Sequence, residues 1–314
     1  MTINLTKTPE NNIKQCISII KMNYNIKYLD KINDYLLVSC SNKQLIIFKI
    51  NLFEIQFKLT ENLNNINSFT ILEDKRIIIC LNNGTLKIIK LKEKEYIVEQ
   101  ILKGHSHSIM KVIEFKKNKL ASISEDNVIK IWELKNNENK FFPIYKIVSY
   151  YSDYSFYNII KINENEFVTS STKEKYLKFF ESQNFSNIAT INNIEMTWTL
   201  DSMCLLNKNL LCVGGINYKG FYIIQISNHQ LIKNIVGPKI IWSIIKCRDD
   251  LFLCSLIDKN GNKSLIKYEF KDFDFKPIFI MENAHNNNIY SITEINGKLI
   301  ASGGSDQLIK IWGN

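Results

Sequence analysis

The feature that most limits what this chain can fold into is a stretch written almost twice. Gly104–Leu134 reads GHSHSIMKVIEFKKNKLASISEDNVIKIWEL, and Ala284–Trp312 reads AHNNNIYSITEINGKLIASGGSDQLIKIW. The first copy carries His105, Ser122, Asp126 and Trp132; the second carries His285, Ser302, Asp306 and Trp312. In both, the His stands 27 residues before the Trp, the Ser ten before it and the Asp six before it. Between these residues lie short apolar runs, Val112–Phe115, Leu120–Ser124 and Val128–Leu134 in the first copy. Polar turns separate them. Brief alternating runs between turn clusters predict strands, not helices.

The repeat extends past its two clear copies. Large apolar residues equivalent to Trp132 and Trp312 fall at Phe48, Ile89, Phe180, Ile224 and Tyr268, in steps of 41, 43, 48, 44, 44 and 44. A second apolar run precedes each, and the intervening turns are rich in Asn, Asp, Lys and Gly, as tight β connections require. A period in this range is that of a four-stranded β unit repeated around a ring.

The chain resembles the WD40 repeat, in which a Gly-His pair opens each blade and a Trp-Asp pair closes its third strand. Gly104–His105 keeps the opening pair, whereas the second copy has Ala284–His285; the closing pairs are Trp132–Glu133 and Trp312–Gly313. The resemblance implies that each His, Ser, Asp and Trp set forms a hydrogen-bonded chain that staples its blade. The chemistry suits that role: imidazole offers two nitrogens, carboxylate accepts and indole N–H only donates. Seven third strands predict an all-β, seven-bladed β-propeller of four-stranded antiparallel blades, with residues 1–314 as a single domain. The chain stops just after a third strand and carries a spare strand at 14–21. That strand is expected to complete the last blade, closing the ring and leaving no exposed sheet edge. The other five blades carry Asn42, Asn83, Glu174, Tyr218 and Asn262 where the Asp would stand. None has a matching His, so they are expected to hold by apolar packing and ladder hydrogen bonds alone.

Composition narrows the function. The formal charge of +9 invites a nucleic-acid reading. Lysine supplies nearly all of it, however: Arg76 and Arg248 are the only arginines, and the lysines are scattered through an Asn- and Ile-rich chain. An AT-rich coding sequence produces that bias without selection for binding. The seven cysteines include no CxxC, and most sit within apolar runs; buried reduced thiols are expected, not disulfides or a metal site. The first fifteen residues contain no apolar segment, and no run is long enough to span a bilayer. No membrane association is expected, and the cytoplasm is the expected location, with the nucleus as the alternative. No metal-binding HExxH, phosphate-binding glycine loop or GxSxG occurs, so neither catalysis nor a cofactor is expected.

The resemblance then implies a non-catalytic scaffold or adaptor that binds other proteins, as a subunit of a larger complex, through the loop face of the disc. The alternatives are an RNA- or ribosome-associated basic propeller and, less favoured, a propeller enzyme. The expected binding residues are Tyr150, Tyr151, Tyr154 and Trp198, from loops rich in aromatics, with Lys27 and Lys111 at the channel rim. Trp242 and Tyr290, beside first-strand starts, are expected to be core, and His229 to lie in a loop.

Overall fold

The computed structural model describes residues 15–32, 36–41, 44–49, 54–59, 66–92, 95–135, 137–148, 156–171, 175–196, 202–217, 219–248, 250–297 and 299–313. Its first strand, β1 (Gln15–Lys21), belongs to the far end of the chain. β2–β5 (Ile26–Lys31, Leu36–Ser41, Gln44–Lys49, Glu54–Leu59) form one antiparallel sheet. β6–β9 (Ile66–Ile71, Ile77–Leu81, Thr85–Leu91, Tyr96–Lys103) form the next. Then come β10–β13 (Ile109–Lys116, Lys119–Ser124, Val128–Lys135, Lys140–Val148) and β14–β17 (Asn158–Asn163, Glu166–Ser171, Tyr176–Glu181, Asn187–Ile191). β18–β21 (Met203–Asn207, Leu210–Gly214, Phe221–Gln225, Gln230–Ile235) and β22–β25 (Ile240–Arg248, Leu251–Ile257, Lys263–Lys271, Asp274–Met281) follow. β26–β28 (Ile289–Glu294, Ile300–Gly304, Leu308–Gly313) pair with β1 in the order β1-β28-β27-β26.

The expected count of seven blades is corrected to six contiguous ones, while the expected completion of the last sheet by the N-terminal strand is borne out. Six sheets are blades of four consecutive strands. The remaining sheet is composite, and takes its outer strand from the opposite end of the chain. Without β1, the outer edge of β28 would be left unpaired. Gln15–Lys21 runs antiparallel along Leu308–Gly313, and Met22 N–H bonds to Gln307 carbonyl at 2.8 Å.

The residues that set the sequence period share one local geometry. At Phe48, Ile89, Trp132, Phe180, Ile224 and Tyr268 the ladder to the fourth strand slips by one residue. β1 slips in the same way opposite Trp312, between Cys16 and Ser18. A bulge bends its strand and increases local twist, which lets the outer strand wrap past a large third-strand side chain. β1 is therefore a fourth strand in detail, not only in position.

First strands pack against the first strands of both neighbouring sheets, so they surround a common axis. The apolar cores lie between sheets: for example, Ile47 and Phe69 join the first two sheets, and Phe115 and Phe180 the third and fourth. At the closing seam, a methyl at Gly303 would lie 2.4 Å from Ile26 Cγ2, so only glycine allows that approach.

Two expectations fail at the seams and the rim. Packing and ladders are not the only ties between sheets. Ser68 Oγ donates to Met110 carbonyl at 2.6 Å, Thr70 Oγ1 to Val112 carbonyl at 2.5 Å and Ser255 Oγ to Ile289 carbonyl at 3.1 Å. Leu29 N–H donates to Ser291 Oγ at 3.1 Å across the closing seam. Exposed edges also persist, because ring closure pairs sheets face to face and leaves every fourth strand at the rim. Ile19, Ile101, Tyr145 and Leu231 are exposed there. One such edge is covered: Gln100 Nε2 donates to Phe141 carbonyl at 2.7 Å, while Phe141 N–H donates to Gln100 Oε1 at 2.8 Å.

Removing residues 1–21 should expose the β28 edge and open the closing seam. The truncated protein is expected to melt at least about 5 °C lower and to aggregate, as read by calorimetry and light scattering. An unchanged melting temperature would show that β1 is dispensable.

Candidate interaction site at the mouth of the ring

Both predicted tetrads are assembled. His105 Nδ1–H donates to the Asp126 carboxylate at 2.9 and 3.1 Å, Ser122 hydroxyl donates to His105 Nε2 at 2.8 Å, and Trp132 Nε1–H donates to Ser122 Oγ at 2.9 Å. This is the tautomer the network requires, because the serine oxygen receives the indole proton and passes its own to the imidazole. The second set matches: His285 Nδ1 to Asp306 at 2.9 Å, Ser302 Oγ to His285 Nε2 at 2.7 Å and Trp312 Nε1 to Ser302 Oγ at 2.7 Å. Each carboxylate also takes the next main-chain N–H, from Ser106 at 3.0 Å and from Asn286 at 3.1 Å. The staple thus ties the connection entering a blade to the turn between its second and third strands.

Protonation follows from the surroundings. Burial alone would raise the Asp126 pKa, but the His105 hydrogen bond and charge, with N–H groups of Ser106 and Val128, hold it below the usual carboxylate value of 3.8. Burial pushes His285 below its ordinary 6.5, against the opposing pull of Asp306.

The same end of the ring carries a feature the sequence reading missed. In five first strands the ladder slips one residue after a buried isoleucine: Ile26, Ile66, Ile109, Ile241 and Ile289. The extra residues are Lys27, Asn67, Met110, Trp242 and Tyr290. Each sits where its first strand enters from the preceding blade, beside the turn between second and third strands, as Ile109 opposite Ser124 shows. Bulged residues at strand ends are re-aimed out of the sheet: Lys27 is exposed and Asn67, Trp242 and Tyr290 are half-buried, whereas Met110 is buried in the core between the third and fourth sheets.

Trp242 and Tyr290 are accordingly half-buried, not core. Their rings meet edge to face with centroids 5.3 Å apart, spanning two neighbouring sheets. A recurring Ile-x-Ser, at 66–68, 241–243 and 289–291, was the available signal. The residue after the bulge turns inward to the seam, which is why Ser68 and Ser291 bond across it.

The predicted binding residues separate. Lys27 is exposed at the mouth. Lys111 is not at the rim: as a post-bulge residue it is buried, and its Nζ donates to Asn158 Oδ1 of the next sheet at 3.1 Å. Tyr150, Tyr151, Tyr154 and Trp198 lie outside the described residues. His229 lies in the turn joining β20 and β21, as expected, and there also ties a seam: its Nε2 is 2.6 Å from Glu166 Oε1, and its ring lies 4.7 Å from that of Phe179. Among the described residues no group of three or more His, Cys, Asp or Glu is placed to hold a metal.

Residues 275–313 match the family WD40, described as WD domain, G-beta repeat. A chain from the crystal structure of the mitotic checkpoint complex superposes with a TM-score of 0.78, covering 100% of this chain and 97% of that one at 12% identity. The chain folds as a β-propeller, and its last repeat is similar to the WD40 family. The family match begins in β25 and ends in β28, so the WD40 sequence unit straddles two sheets. At that identity the superposition speaks for the propeller fold alone, and no curated protein matches the sequence.

His105→Ala or Asp126→Asn should destabilise the propeller by about 1–3 kcal/mol, the cost of a buried polar group left without its partner. Urea unfolding measures this; an unchanged midpoint would remove the staple role. Acid adds a second check. His285 binds its proton more weakly folded than unfolded, so its contribution is complete above 6.5 and lost as pH falls below that value. The Asp126 contribution is lost lower, as pH falls below 3.8 and through the depressed folded value. Stability should therefore decline as pH falls below 6.5, and His285→Gln should flatten that decline.

Proposed function

We propose that the protein is a non-catalytic adaptor that captures a partner protein at the mouth of the ring. WD40 propellers generally mediate protein–protein interactions, and the structural neighbour comes from a multi-protein complex. The observation that carries the reading here is the Trp242–Tyr290 pair. Two large amphipathic rings from adjacent blades are held half-exposed by bulges, where a core would have enclosed them. Interface energy concentrates in a few such aromatic anchors, and rigid rings supply contact area at low entropic cost.

The scaffold around the pair is rigid. Buried isoleucines precede both bulges, and Ser255 and Ser291 tie the neighbouring seams. The rings are thus presented with little freedom to lose on binding, which favours affinity.

Capture from the source cell with tagged protein, followed by mass spectrometry, identifies the partner. Trp242→Ala and Tyr290→Ala should each weaken its binding at least about tenfold with less than about 1 kcal/mol change in stability. Full binding by both folded variants would move the interface elsewhere.

A further inference from the structure

The charge around the aromatic pair is one-sided. Lys27, one bulge further round the ring from Tyr290, is exposed. Lys239 is exposed just before β22, three residues from Trp242, and Lys259 is exposed in the turn joining β23 and β24. None of these three ammonium groups is paired with a described carboxylate. The carboxylates of this sector are turned to internal work. Asp306 is held by His285 and the Asn286 N–H. Asp258 takes N–H groups from Asn260 and Asn262 at 2.8 and 2.9 Å and the Asn262 side-chain amide at 3.0 Å. Glu282 is the exposed carboxylate that remains on the connection into the last sheet.

We propose that this sector, Trp242 and Tyr290 flanked by Lys27, Lys239 and Lys259, receives an acidic peptide segment of a partner protein that carries an apolar anchor residue. The inference rests on the adaptor reading above and specifies the chemistry of its ligand. Apolar contact with the rings supplies the anchor. The unpaired lysines attract carboxylates on either side of it and disfavour basic segments.

The same residue types could serve single-stranded RNA, and two observations disfavour it. Base stacking needs an open aromatic face, whereas Trp242 and Tyr290 pack edge to face at 81° and are half-buried. Phosphate recognition also leans on arginine's bidentate fork. Arg76, the arginine whose side chain is described, is buried in a turn and tied to Asp74 at 2.7 Å.

The test titrates full-length protein with a capped oligoglutamate peptide bearing one central leucine, its glutamine counterpart, and oligouridylate, followed by calorimetry. The glutamate peptide should bind at least about tenfold tighter than the glutamine one at low salt and weaken as salt rises. Trp242→Ala should cost at least about tenfold. Lys27→Gln should cost about two- to fivefold, as expected for one exposed charge. Lys27→Glu, an exposed change that leaves folding intact, should cost more, which keeps the test sharp should Trp242→Ala misfold. Equal binding of the two peptides, tighter binding of oligouridylate, or indifference to both Lys27 changes overturns the proposal. If acid preference fails while the captured partner still depends on Trp242, the adaptor reading stands alone; if both fail, both readings fall.

Discussion

Everything in this ring depends on one pairing, that of Gln15–Lys21 with Leu308–Gly313. Each sheet buries its faces against two neighbours, so an unfinished sheet would loosen the cores on both sides of it. The closing seam shows the tightness required: Gly303 meets Ile26 where no side chain fits, and Ser291 bonds to the Leu29 main chain. Because the completing strand comes from the other end of the chain, the ring cannot be finished until most of it exists. The cost of that long loop closure grows only slowly with chain length, and the pairing returns a full ladder and a sealed core.

Within the ring, two sets of bulges divide the labour. Those in the outer strands accommodate the large third-strand residues. Those in the first strands do two things with consecutive residues: the bulged side chain, Met110 apart, is kept out of the core, and the next is sent to the seam. Lys27 and Lys111 illustrate the split. Both were expected at the rim, and one residue of register decides that the first is exposed and the second buried.

Much of this was readable before the structure. The spacing of Trp132 and Trp312 located the third strands, and the matched His, Ser and Asp offsets named both staples to the residue. What escaped the reading has a common physical cause. A bulge inserts one residue without altering hydrophobic content, so periodicity alone placed Trp242 and Tyr290 in the core. Seam hydrogen bonds escaped it too, because Ser68, Ser255 and Ser291 donate to main-chain carbonyls that no side-chain pattern marks. The ties of His229 to Glu166 and of Lys111 to Asn158 join residues 63 and 47 positions apart, a separation at which neither partner predicts the other. The aromatic connection at 149–157 drew attention through its composition, while the pair at the mouth is assembled from two strands that each contribute one ring.

The reciprocal contact between Gln100 and the main chain of Phe141 has a consequence for how copies of the molecule meet. An outer strand offers a row of open N–H and C=O groups on which a stray chain can build an intermolecular sheet, the first step towards fibrous aggregates. The glutamine amide imitates a peptide group and occupies one donor and one acceptor in that row. Two residues further along, Pro143 contributes no N–H at all. A strand seeking to dock along β13 therefore finds its register interrupted at the outset. A protein crowded by its own copies in a cell is kept apart there by one side chain that mimics a neighbour.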